Sequence, residues 1–379
     1  MTTAKPIFEI ENTYGQSIWM DNLSRDIIES GELKNLIEEK GIVGITSNPA
    51  IFEKAIAGNK IYDQDITKGI EAGKSVTDIY EDLVFSDIRN ACDILMPIYE
   101  KTNGLDGYVS IEVPPDLAKE TESTTTEAKR YFEAIGKPNV MIKIPGTPEG
   151  LPSVEATIAE GINVNVTLLF SVDSYIDTAW AYIRGLEKFA EKGGDVSKVA
   201  SVASFFLSRI DSNIDDRLDE KIKAGGNEEK LKSLKGKIAI ANAKIAYQKY
   251  KEIFSGDRWE ALADKGASVQ RLLWASTSTK NPEYSDVMYV DELVGADTVN
   301  TLPPNTIEAC ADHCDPASRI ESNVEQAQEM INTLADKDVD INLDEVMDEL
   351  LEEGIDKFIK PFESLMSSLE DKVKKLATV

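Results

Sequence analysis

Lys143 stands in Val140-Met141-Ile142-Lys143-Ile144-Pro145, an aliphatic run in which a charged ammonium would be costly to bury. Desolvation there is expected to depress its pKa, and a neutral amine is a nucleophile toward carbonyls. The product would be a Schiff base, an electron sink for carbon–carbon cleavage. The competing reading is a lysine that snorkels to water or forms a structural ion pair with Glu112. Glu112, in Tyr108-Val109-Ser110-Ile111-Glu112-Val113, is the natural acid–base partner, because carbinolamine formation and dehydration need proton transfers. Asp21 offers a second carboxylate for the proton of a sugar hydroxyl. Asn48 and Asn165 carry amides suited to vicinal hydroxyls, and Thr167 is placed to position a water. Ser204–Arg209 and Ser276–Asn281 each combine hydroxyls with a cation, Arg209 in one and Lys280 in the other, the chemistry a phosphate monoester requires. Arg209 has a competing reading as the partner of Asp211 or Asp215.

Composition removes most other chemistries. His313 is the single histidine, so a Ser-His-Asp triad, a His-rich metal site and a His general base would all compete for one residue. Cys92, Cys310 and Cys314 are too few for a disulfide framework. Cys310, His313 and Cys314 fall within one helical turn but have no distant pair to complete a tetrahedron, so no metal and no cofactor are expected. A net charge of −27, from 41 basic and 68 acidic residues, repels phosphate backbones and anionic lipid surfaces. Nucleic-acid and membrane partners are therefore excluded as expectations. No apolar run approaches a membrane span, and Met1–Pro6 contains no leader-like apolar stretch. The expected setting is cytoplasmic.

The elements that must position these residues recur as a β-branched run followed by an amphipathic segment. Strands are predicted at Ile18–Asp21, Ile42–Thr46, Tyr108–Val113, Val140–Ile144, Ile162–Thr167, Val199–Phe205, Val269–Ala275 and Thr298–Leu302. Between them lie helical stripes such as Ile79–Ile98, closed by Gly104, and one opened by Ser171 as N-cap. Eight alternating units predict a closed (β/α)8 barrel of the TIM type, with an open doubly wound sheet as the alternative. The charged insertion Asp211–Gly236 reads as a solvated helix and loop. From about residue 320 to 379 the pattern is wholly helical, with Pro361 starting or kinking the last helix. This extension is expected to pack on the barrel or on a second copy of the chain, as a homodimer.

Buried parallel strands should be continuously apolar, yet Ser110, Glu112, Lys143, Asn163, Asn165, Thr167 and Ser204 interrupt them. Asp21 and Asn48 stand at the ends of two others. Such residues gathered at the C-terminal ends of barrel strands are an active site rather than the polar outer face of half-exposed strands.

The chain resembles the transaldolase family, in its longer bacterial form. The resemblance rests on Gly44–Phe52 (GITSNPAIF), Ile142–Thr147 (IKIPGT), Asn163–Ser171 (NVNVTLLFS) and Ser204–Ile210, with support from Ser17–Asp21 and Trp274–Asn281. It implies one barrel domain over residues 1–379 that moves a dihydroxyacetone unit between sugar phosphates in the non-oxidative pentose phosphate pathway. By this resemblance Lys143 would form the imine, Glu112 would relay protons through a water held by Thr167, and Asp21 would assist cleavage. Asn48 and Asn165 would bind the dihydroxyacetone hydroxyls, and Ser204 and Arg209 the phosphate. Lys280 departs from the arginine of shorter members, keeping positive charge but losing the bidentate fork. Fructose 6-phosphate aldolases share barrel and lysine but lack the glutamate and carry a tyrosine near the imine. Glu112 and Phe206 therefore favour the transferase. A non-catalytic sugar-phosphate binding protein is the remaining alternative.

Overall fold

The computed structural model describes residues 5–378, so the start of Met1–Pro6, where no leader was read, lies outside the described residues. Eight parallel strands close into a barrel in sequence order: β1 Gln16–Asp21, β2 Ile45–Thr46, β3 Val109–Glu112, β4 Val140–Pro145, β5 Val164–Leu169, β6 Ser201–Phe206, β7 Arg271–Ala275 and β8 Thr298–Leu302. Outward residues such as Val140, Ile142, Val164 and Val166 are fully buried under the helices, which is why these strands read as aliphatic. No helix among the described residues is long and apolar enough to cross a membrane.

β2 is shorter than its apolar run predicts. Gly44 precedes it, and a Cβ there would lie 2.5 Å from the Trp19 ring. The indole fills the barrel interior only because residue 44 has no side chain. Val43 nevertheless still donates to Ile18 O at 3.0 Å, so the ladder is continuous.

Local signals set the helix starts. The Ser171 side chain accepts from Ser174 N and opens Val172–Glu191. The Val76–Lys101 helix begins with a capping box between Ser75 and Asp78.

Two expectations need correction. The insertion is not simply solvated: Asp211 and Asp215 are buried, accepting from Tyr289 and Tyr284 hydroxyls at 2.6 Å each and from the Ala239 and Gly236 backbone N–H groups. These bonds tie the Ser208–Lys223 helix to the segment after β7. The two apolar stripes beyond residue 340 form one helix, Leu343–Leu376, with Pro361 inside it rather than at a start. That helix lies across the C-terminal mouth of its own barrel, touching the Pro49–Ile56, Val76–Lys101 and Ser208–Lys223 helices.

Candidate active site

Parallel register aligns the central residues. Glu112 is the register partner of Lys143 across β3 and β4, and Lys143 is the partner of Asn165 across β4 and β5. Asp21 is likewise level with Thr46. All point inward at the C-terminal end, where a cavity of about 230 Å³ opens.

Lys143 forms its floor. Its Nζ donates to Ser47 O at 2.8 Å and lies 3.3 Å from Glu112 Oε2. The immediate contacts of the ammonium are thus a carbonyl and a carboxylate, not the aliphatic groups its sequence neighbours suggest. Those aliphatic side chains face the opposite side of the strand. Asp21 Oδ1 accepts from Thr46 Oγ1 at 2.7 Å. Burial pushes both carboxyls above their ordinary range, opposed in each by the nearby Lys143. Apart from the Lys143 Nζ facing Glu112 Oε2, the Glu112 oxygens and the Thr167 hydroxyl are buried without a hydrogen-bonding protein partner, so bonding capacity remains for a substrate or a water.

The predicted binding residues divide. Asn48, Thr167, Ser204, Arg209 and Lys280 all border the cavity. Asn48 Oδ1 is engaged as the N-cap of the Pro49–Ile56 helix, accepting from Ile51 N at 3.0 Å, which leaves its amide NH₂ for a ligand. Asn165 does not border the cavity: it is fully buried, accepting from Ser204 Oγ at 2.6 Å and donating to Ser110 Oγ at 3.1 Å. Asn163 is structural, its amide binding the Pro138 and Val140 carbonyls below the barrel's middle.

At the far wall Arg209 stacks on Phe206, 5.1 Å from guanidinium carbon to ring centroid, while Phe206 packs on Phe170. Arg209 pairs with neither Asp211 nor Asp215, whose oxygens are taken by the tyrosines and backbone, and its Nη1 is buried without a partner. Desolvation lowers its pKa, and desolvation with the neighbouring Arg209 charge lowers that of Lys280. Lys280 Nζ donates to Ser278 Oγ at 2.8 Å. Two cations lie close despite mutual repulsion, beside Ser276 and Ser278, a combination of charge and hydroxyls chemically suited to an anion. Ser276 adopts φ +55° and Leu168 φ +60°, so backbone strain for non-glycine residues occurs at the mouth, Leu168 where β5 and β6 shift register.

Thr46, Thr301 and Phe358 also border the cavity and were not singled out by the sequence. The polar alternation of β8, Thr298 and Asn300, marks the other face of the strand, so it does not point to Thr301. Nothing local marks Phe358, which comes from the C-terminal helix. The Cys310–Cys314 turn stays apart from this site, with both thiols buried and His313 turned to Asp286 and Asp312.

A profile of the family described as Transaldolase/Fructose-6-phosphate aldolase matches residues 18–369. The chain is 70% identical to the transaldolase of Trichodesmium erythraeum, over 98% of this chain and 99% of that one. It is 68% identical to transaldolase 2 of a Nostoc species, over 97% of each. The transaldolase of Mycobacterium ulcerans shares 48% over 83% of each chain. With the barrel and its lysine in place and near-complete relatives this similar, the chain belongs to the transaldolase family of transferases.

Proposed function

We propose that this cavity transfers a dihydroxyacetone unit between sugar phosphates with Lys143 as the covalent catalyst. In the forward sense sedoheptulose 7-phosphate and glyceraldehyde 3-phosphate would yield erythrose 4-phosphate and fructose 6-phosphate. The Lys143 amine adds to the ketose carbonyl, and loss of water from the carbinolamine leaves the imine. Glu112 handles these protons through a water beside Thr167. Asp21 removes the proton from the hydroxyl adjacent to the bond being cleaved. The electrons of that bond pass to the imine, giving an enamine, and the aldose phosphate leaves. An incoming aldehyde reverses these steps.

The carrying observation is that Lys143, which borders the cavity together with Asp21, has its Nζ 3.3 Å from Glu112, a carboxyl buried just outside that lining. Burial raises both carboxyls, which strengthens each as a base once ionised and keeps its proton available when it is not. Because Asn165 stands behind Ser204 and does not border the cavity, Ser204 takes over from it beside the Asn48 amide in holding the dihydroxyacetone hydroxyls, rather than binding the phosphate as the resemblance implies. Arg209, helped by Lys280, holds the phosphate. Transfer is favoured over simple aldol cleavage by Glu112 beside the amine and by the apolar Phe206 that Arg209 covers.

Incubation with fructose 6-phosphate and borohydride, followed by peptide mass spectrometry, should find a dihydroxyacetone-sized adduct on Lys143. Erythrose 4-phosphate added before reduction should discharge it. Binding without any adduct would make the protein a sugar-phosphate binder and end the catalytic reading.

A further inference from the structure

One wall of the cavity does not come from the barrel. Its other bordering residues lie between Asp21 and Pro303, whereas Phe358 belongs to the C-terminal helix. The ring centroid stands 5.6 Å from Lys143 Nζ, within cation–π range, and the residue is only 6% exposed. Contacts on both sides of Phe358 hold the helix here. Before it, Lys119 pairs with Glu352 at 2.7 Å and Arg217 with Glu349. Gly354 lets the backbone close onto the barrel: a Cβ there would lie 2.9 Å from Leu168 and 3.5 Å from Arg209. After it, Phe362 meets Tyr80 edge-on at 5.6 Å and Lys372 pairs with Asp63 at 2.6 Å. Burial of the apolar stripe accounts for Leu365 and Leu369. It does not account for an aromatic ring turned toward a polar cavity.

We propose that Phe358 decides the fate of the covalent intermediate, screening the Lys143 imine from solvent at the mouth so that the three-carbon unit is transferred rather than released. The inference rests on the Schiff-base reading above. After cleavage the unit waits as an enamine. Transfer forms a carbon–carbon bond to an aldehyde, whose oxygen takes a proton, and restores the imine. Discharge instead protonates the enamine carbon, adds water across the carbon–nitrogen double bond and breaks the carbon–nitrogen bond. Its products are free dihydroxyacetone and the lysine amine. Only this second route needs water at the imine while the acceptor is absent. An apolar ring over the nitrogen excludes bulk water from that side, and its face favours the cationic imine. Hydrolysis of the product imine uses the water that Glu112 controls from within the barrel.

The test gives the full-length enzyme fructose 6-phosphate without acceptor and measures free dihydroxyacetone release. Transfer to erythrose 4-phosphate is measured in parallel. Phe358→Ala should raise the ratio of release to transfer about tenfold, and Phe358→Leu should raise it less, while all forms keep the borohydride adduct on Lys143. Should the alanine variant fail to fold, the leucine variant decides. An unchanged ratio in a folded variant, judged by near-ultraviolet circular dichroism, overturns the inference. A wild-type enzyme that yields no adduct overturns the Schiff-base reading itself, so the two failures are distinguishable.

Discussion

At the N-terminal end of the barrel interior, Asp106 accepts from Ser17 Oγ at 2.7 Å, Trp19 Nε1 at 2.9 Å and Arg271 Nη2 at 3.0 Å. Arg271 also reaches the Leu105 carbonyl and Ser17. At the C-terminal end, Glu112 has only an ammonium at 3.3 Å, and its oxygens, the Thr167 hydroxyl and Arg209 Nη1 are buried without hydrogen-bonding partners. Both ends bury an acid with a base inside one barrel. The lower cluster uses its bonding capacity on itself and closes the structure. The upper cluster holds capacity open for a ligand, at a cost in stability the rest of the fold must offset. Polarity in the interior is therefore not the mark of a site; unfilled hydrogen-bonding capacity beside a cavity is.

Substitutions should separate the two ends. Lys143→Ala removes the amine on the cavity floor and should lower kcat by about 10⁴-fold or more. A lysine variant that kept transfer activity would break the contrast outright. Asp106→Ala strands the buried Arg271 and should destabilise by about 3–5 kcal/mol in urea titrations. The fraction still folded should keep its kcat, and a loss of activity without a loss of stability would reverse the assignment of the two ends.

Glu112→Gln keeps the shape but removes the proton carrier, so kcat should fall by about 10²-fold or more. Because burial raises the Glu112 pKa, the folded chain binds its proton more tightly than the unfolded chain. Its contribution to stability therefore declines as pH rises above the ordinary carboxylate range, and the glutamine variant should melt no lower than wild type at neutral pH.

Asp211 is an intermediate case, partnered yet raised. Burial pushes it from 3.8 to about 6, against the bonds from Tyr289 and Ala239. Stability should fall as pH climbs through that interval, by on the order of 1–3 kcal/mol, and Asp211→Asn should flatten the slope. Parallel urea-midpoint profiles for the two proteins would contradict this. The smallest effect is expected at the exposed rim, where Lys280→Arg restores a planar fork and should lower KM for a sugar phosphate by no more than about threefold. A larger gain would move the main phosphate contact from Arg209 to that loop.

Much of this site was legible along the chain because strand periodicity is two. A polar residue in an aliphatic strand must face inward or break the layer, and Lys143, Glu112 and Thr167 follow that rule. Asn165 obeys it too, yet it stands behind Ser204. Alternation fixes a direction but not what fills the space in front of it. The aliphatic neighbours of Lys143 likewise suggested an apolar pocket, whereas they share its strand and not its side. Sequence alone pointed to the eight-stranded barrel and to a lysine and two carboxylates among its inward polar residues, since these depend on residue type and local period, while the roles proposed for them came with the family resemblance. Only the tertiary structure decided which polar groups satisfy one another, how Asp211 and Asp215 are buried, and that Phe358, 215 positions after Lys143, borders the cavity. Those outcomes depend on packing between elements distant in the chain, and neither propensity nor spacing carries that information.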